Sequence, residues 1–149
     1  MEEHIRANAE TVVKELGKLK GEEFGYTRES VEWLEGYIER LKNSGEFDST
    51  ERKNRLISVF GSFLGECIVR CYGGAWRQLE SGEWGVAFRN EEMAFTENNM
   101  AFPFAKVAKQ IDNGLEDGIA SFFSVIPILF TDHSGPLPPA AKKPWWKVW

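Results

Sequence analysis

The sequence predicts a single α+β domain, with helices packed on one face of a small antiparallel sheet of three to four strands. Three observations carry this prediction: apolar residues recur at helical spacing up to residue 72, alternate after Gly74, and return to helical spacing after Pro103. The chain has 149 residues, is 42% hydrophobic and has a net charge of −5. This length and composition suit one domain with its own core and exclude a disordered chain.

Two amphipathic helices are predicted at the start of the chain. Residues 2–20 place an apolar side chain at every third or fourth position, and Gly21 is suited to end that helix. The second helix is predicted to begin near Thr27 or Ser30, since either hydroxyl can accept a hydrogen bond from the first turn. Asn43, Ser44 and Gly45 are expected to end it.

The third predicted helix has the widest apolar face and is therefore expected to be central. It begins at one of three capping residues at positions 48–50 and ends at Gly73 and Gly74. Gly61 and Gly65 lie one turn apart within it. Because glycine costs helix stability, we expect another element to pack closely against the backbone there.

The alternating segment predicts a β-hairpin followed by further short strands. Residues 75–80 and 84–89 flank a Ser-Gly-Glu turn, which predicts two antiparallel strands. Residues 93–95 and 100–102 resemble two more strands. Together they would form a meander of three or four strands.

Two helices are predicted after the sheet. Pro103 suits the first turn of one helix, and Asn113 with Gly114 suits its end. Asp117 is expected to cap the last helix and Pro127 to end it. The predicted domain therefore covers residues 1–130.

Residues 131–149 are predicted to form an extended tail, because they are too rich in proline to build a core. The spacer at 131–144 could reach about 40 Å at 3.1 Å per residue. Trp145, Trp146 and Trp149 follow it, and tryptophan is a common anchor at protein interfaces. We expect this cluster to cover a groove of its own domain, a second copy of the chain or another protein. Membrane attachment is the weaker alternative.

No catalytic constellation emerges from the sequence. His4 and His133 are the only histidines, and neither has a convincing nucleophile beside it. Cys67 and Cys71 lie one turn apart but provide only half of a structural zinc site, so core packing is the favoured interpretation. We therefore assign no catalytic residue, no metal ligand and no cofactor. The acidic net charge argues against a general nucleic-acid binder.

Four residues are candidates for a binding site. Glu66 lies within the apolar third helix, with Arg70 four residues later. A surface ion pair is the ordinary interpretation of this spacing, and a partly buried carboxylate lining a groove is the alternative. Trp76 and Trp84 on the hairpin could stack on a ligand beside it, although ordinary packing of the sheet is the favoured interpretation of both.

Two blocks of this chain resemble a pattern in uncharacterised bacterial proteins. The first runs from Gly61 to Trp76, with a Gly-x-x-Leu-Gly-Glu helix leading to a Gly-Gly-x-Trp strand. The second is Phe-Pro-Phe-Ala-Lys-Val at 102–107 with Asn113-Gly114. The resemblance covers residues 28–126 and implies a small α+β domain. Such proteins are often encoded by mobile or accessory genes, which suggests an accessory or immunity-type role.

The sequence thus leaves two functions open. The first is a non-enzymatic binding or protein-interaction module that uses the tryptophan tail. The second is a small-molecule binder or small enzyme with an acidic groove near Glu66 and the Trp76/Trp84 hairpin. A cytoplasmic location is expected, since the first residues are acidic and no apolar segment reaches the length of a membrane span.

Overall fold

The computed structural model describes residues 2–21, 23–88 and 99–129. Within these residues, five α-helices and three strands follow one another. Their bounds are α1 Glu2–Lys20, α2 Arg28–Asn43, α3 Thr50–Tyr72, β1 Ala75–Gln78, β2 Trp84–Ala87, β3 Met100–Ala101, α4 Pro103–Asn113 and α5 Ile119–Leu129, with a 3₁₀ turn at Gly114–Asp117. The predicted α+β fold is confirmed.

Side-chain caps define the starts of the two helices that follow loops. The Thr27 hydroxyl accepts a hydrogen bond from the Ser30 backbone N–H at 3.2 Å, so Thr27 is the cap of α2. Ser49 caps α3 in the same way. Gly73 ends α3 in the left-handed conformation, at φ 81°, which glycine adopts without strain. The sequence predicted each of these boundaries.

The three strands form an antiparallel sheet in the order β1-β2-β3. Trp76 pairs with Val86 in the hairpin, and Val86 pairs with Ala101 on its other side. The strands of the hairpin are shorter than predicted, but the turn lies at the predicted place, with Gly82 at φ 95°. The strand predicted at residues 93–95 lies outside the described residues.

The helix α3 forms the centre of the core, as its wide apolar face predicted. Helices α1 and α4 pack along it, α2 packs against α5, and β2 contacts both α3 and α4. The inner face of α3 is fully buried at four residues, Phe63, Leu64, Cys67 and Ile68. One hydrophobic cluster therefore joins all five helices and the sheet.

The start of α5 is held by side chains of other helices, which corrects the expectation that Asp117 caps it. Gln110 Oε1 accepts from the Ile119 N–H at 3.0 Å, and Glu35 Oε2 accepts from the Ala120 N–H at 3.0 Å. Asp117 instead accepts hydrogen bonds from Asn113 and Lys106. These bonds lower the pKa of its carboxyl group.

We predict that Gln110→Leu will lower the free energy of unfolding by about 2 kcal/mol. Gln110 is fully buried, and its amide also donates to the Glu35 carbonyl and the Glu39 carboxylate, so leucine leaves buried polar groups unpaired. Urea titration would measure the loss. Gln78→Leu is the matched control, because Gln78 is exposed and its amide donates to the Gly82 carbonyl in the turn. Equal effects of the two substitutions would contradict the proposed role of Gln110.

Pro127 lies inside α5, so the prediction that it ends the helix is wrong by two residues. Proline removes one backbone hydrogen bond of the helix, and its ring crowds the carbonyl four residues earlier. The N–H groups of Ile128 and Leu129 remain available to carbonyls one turn back, which allows the helix to continue to Leu129.

Candidate functional site

The two glycines of α3 allow aromatic rings to pack directly on its backbone. The Trp76 ring occupies the space that a Cβ on Gly65 would need, and the Phe104 ring occupies the equivalent space at Gly61. The Trp76 and Phe104 ring centroids lie 5.8 Å apart. The close approach that the sequence predicted at this glycine pair is confirmed, and it brings Trp76 of β1 against α3.

Glu66 lies beside this contact, and both of its carboxylate oxygens accept hydrogen bonds. Arg70 Nε donates to Oε1 at 3.1 Å, and Trp76 Nε1 donates to Oε2 at 3.0 Å. Only 4% of Glu66 is exposed. Both interpretations of the sequence are therefore partly correct: the i,i+4 ion pair with Arg70 forms, and the carboxylate is buried.

Tyr26 and Glu10 extend this arrangement to the loop after α1 and to α1 itself. The Tyr26 hydroxyl donates to Glu10 Oε1 at 2.7 Å, and Arg70 Nη2 lies 3.7 Å from the same oxygen. The Arg70 guanidinium carbon lies 3.9 Å from the centre of the Tyr26 ring, within cation–π distance. We call Glu10, Tyr26, Glu66, Arg70 and Trp76 the Glu66 cluster.

Tyr26 and Glu10 were not predicted to be members of this cluster. Neither lies at helical spacing from Glu66, because each belongs to a different element from α3. Only the packing of α1 along α3 brings them together. No local pattern could have identified them.

The interactions of the Glu66 cluster hold parts of the domain together. Each oxygen of Glu66 already has a donor within the domain, and the carboxylate is neutralised by Arg70. Burial and the hydrogen bond to Glu10 raise the pKa of the Tyr26 phenol. The phenol therefore stays protonated at neutral pH and cannot serve as a base there.

The raised pKa of Tyr26 predicts a loss of stability in alkaline solution. A phenol in the unfolded chain ionises near pH 10, whereas the folded state retains its proton above that pH. Stability from this source is complete below pH 10 and falls as the pH rises beyond it. We expect the free energy of unfolding to decline less steeply above pH 10 in Tyr26→Phe than in the wild type. Identical slopes in urea titrations would contradict this assignment.

Trp84 is not part of the hydrogen-bond network that joins Glu66, Arg70 and Trp76. It pairs with Gln78 at the far end of the hairpin and is half-buried. Its Nε1 finds no hydrogen-bond partner among the described residues. The structure therefore unites three of the four candidate binding residues.

The two cysteines of α3 have different environments. Cys67 is fully buried, as predicted, and burial raises the pKa of its thiol. Cys71 is exposed, which the apolar pattern did not predict, and its Sγ donates to the Tyr26 carbonyl at 3.4 Å. Within residues 2–21, 23–88 and 99–129, no group of three or more side chains is placed to hold a metal ion.

A groove of about 340 Å³ lies between β3, α4 and α5. Its walls are mainly apolar, and Lys106 and Lys109 stand on its α4 side. We call it the C-terminal groove, because Leu129, the last residue of α5, lines its edge. The full lining is Glu83, Met100, Ala101, Phe102, Ala105, Lys106, Lys109, Phe122, Val125 and Leu129.

A second groove, of about 200 Å³, lies between α1, α2 and α3. It is lined by Leu16, Leu19, Tyr37 and Leu41 among others, and Leu19 is 63% exposed. Neither groove includes a member of the Glu66 cluster.

Trp145, Trp146 and Trp149 lie outside the described residues. The helices that are described include none with the length and apolar character needed to cross a membrane.

Comparisons of this chain with protein-family models, with curated proteins and with solved structures found no match. The resemblance to uncharacterised bacterial proteins therefore stays a prediction.

Proposed function

We propose that this protein is a non-enzymatic protein-interaction module, in which a folded α+β domain carries a docking segment at residues 145–149. The proposal rests on the observation that Glu66 is buried and already hydrogen-bonded within the domain. The most promising carboxylate of the sequence is 4% exposed and accepts hydrogen bonds from Arg70 and Trp76. An acidic groove for a substrate would need that carboxylate to face a ligand.

The composition of the docking segment supports an interaction with protein. Three of its five residues are tryptophans, which bury a large apolar area with little loss of side-chain entropy. The spacer at 131–144 contains four prolines, so it suits a semi-rigid tether. An accessory or immunity-type role agrees with such a design.

Membrane attachment would require more than this segment contains. Lys142, Lys143 and Lys147 are the only cations of the tail. A few cations and three indoles bind a lipid surface weakly, since stable attachment needs two substantial signals. A protein surface with matching pockets can anchor the same indoles more strongly.

Fluorine NMR of the full chain labelled with 5-fluorotryptophan would test this proposal. Single Trp→Phe variants would assign the six resonances. We expect the resonances of Trp145, Trp146 and Trp149 to broaden and shift on docking. The spectra would be recorded at high protein concentration in buffer and in an extract of the source cells. Sharp, solvent-exposed resonances for all three indoles under both conditions would refute the proposal.

Lipid vesicles provide the comparison with membrane attachment. A shift of the three tail resonances with anionic vesicles, without any shift in buffer or in membrane-free extract, would favour a membrane role over a protein partner.

A further inference from the structure

The C-terminal groove lies where the chain leaves the folded domain. Leu129 ends α5, lines the groove and is 38% exposed. The chain then continues through residues 130–144 to reach Trp145. The tryptophan segment at 145–149 is therefore joined through the spacer to the edge of an apolar groove.

The lining of the groove matches the chemistry of an indole ring. Phe102, Phe122 and Val125 provide apolar walls, and Lys106 and Lys109 provide cations beside them. A lysine over the face of tryptophan gains a cation–π interaction, for which tryptophan is the best aromatic partner. Lys106 already lies 5.9 Å from the centre of the Phe122 ring. The groove can thus hold an indole by both dispersion and charge.

The length and composition of the spacer favour a groove on a second molecule. A 14-residue spacer in extended conformation spans about 40 Å, whereas α3, with 23 residues, is about 34 Å long. For the tryptophans to fill the groove of their own molecule, the spacer would have to reverse direction and bring them back to the end of α5. Prolines at 138, 139 and 144 favour an extended conformation for the second half of the spacer.

The distribution of charge supports the same pairing. Residues 130–149 contain three lysines and one aspartate, for a net charge of +2. Residues 1–129 contain the remaining 15 basic and 22 acidic residues, for a net charge of −7. The tail and residues 1–129 therefore carry opposite net charges and attract each other, although Lys106 and Lys109 make the charged lining of the groove itself basic.

We propose that the C-terminal groove receives the Trp145–Trp149 segment of a second copy of this chain. Two copies then exchange tails reciprocally about a twofold axis, and the assembly closes at a dimer. This inference rests on the proposed function and names the partner of the docking segment.

Sedimentation velocity of four full-length proteins would test the exchange. The variants are W145S/W146S/W149S, which removes the indoles, Leu129→Glu, which places a charge at the groove, and Leu115→Glu as control. Leu115 is exposed to 60% and lies outside the C-terminal groove. We expect a dimer for the wild type and the control, and at least a tenfold higher dissociation constant for the other two. Circular dichroism would verify that each variant is folded.

Mixing the two weakened variants separates exchange between molecules from a general loss of structure. The triple tryptophan variant keeps an intact groove, and Leu129→Glu keeps an intact tail. We expect the mixture to form a heterodimer through one tail and one groove, at concentrations where each variant alone is monomeric.

Three results would overturn the exchange. They are a wild-type protein that stays monomeric, a Leu129→Glu protein that dimerises as tightly as the control, and a mixture without heterodimer. If the fluorine spectra still showed docked tail indoles, the proposed interaction function would stand without the exchange. If the spectra showed exposed indoles, both proposals would be rejected.

Discussion

Replacing Gly65 with alanine is expected to lower the free energy of unfolding by about 2 to 3 kcal/mol. The added Cβ would overlap the buried ring of Trp76 and would lie 3.0 Å from Pro103 Cγ. Neither ring is the end of a flexible chain, so the packing of α3 with β1 and α4 must shift. Alanine favours a helix over glycine by up to about 1 kcal/mol, and the expected net loss allows for this gain. Urea titration followed by circular dichroism would measure it.

Gly36→Ala is the matched control for this substitution. Gly36 lies within α2, and nothing lies within 4 Å of the position of its Cβ. The same chemical change there should stabilise the protein by about 0.5 to 1 kcal/mol. If Gly65→Ala also stabilised the protein, the close contact of Trp76 with the α3 backbone would be wrong.

Replacing Glu66 with alanine is expected to lower the free energy of unfolding by about 2 to 3 kcal/mol. The substitution leaves the buried Trp76 N–H without an acceptor. The lost ion pair adds little, because the Arg70 side chain is 49% exposed and water screens its charge. Glu66→Gln should cost less, because its amide oxygen can still accept from one of the two donors. Thermal and urea unfolding of the three proteins would measure both changes.

Glu51→Ala is the control for an ion pair with the same spacing. Glu51 pairs with Arg55 at i,i+4 on α3, as Glu66 does with Arg70. The side chains of Glu51 and Arg55 are both largely exposed, however. Exposed pairs contribute little, so we expect no measurable change in stability. A similarly small effect of Glu66→Ala would show that the Glu66 cluster does not stabilise the fold, and its carboxylate would again be a candidate for ligand binding.

Sequence periodicity was sufficient to predict the helices and the hairpin because each depends on neighbours along the chain. The glycine pair of α3 and the Glu66–Arg70 pair were predicted for the same reason, since both lie at i,i+4 spacing. The donor on Trp76 was not predicted to reach Glu66. That contact depends on how β1 folds back on α3 after Gly73 and Gly74.

The capping of α5 shows the limit of local reasoning more clearly. Asp117 has the right residue type for a cap, but it ends the 3₁₀ turn and Gly118 precedes Ile119. The N–H groups of α5 bond Glu35 and Gln110 instead. Glu35 belongs to α2, and only the packing of α2 against α5 brings its carboxylate to this helix end. A pattern within α5 contains no information about that partner.

We propose that the protein acts through the tryptophans of its tail. Photo-crosslinking from position 146 tests it most directly, with Trp146 replaced by para-benzoylphenylalanine in the full chain and Leu115 replaced in a control. We expect irradiation in the source cells to join position 146 to a protein, and to residues 99–129 of a second copy if tails are exchanged. Crosslinking from position 146 no greater than from position 115 would contradict the claim.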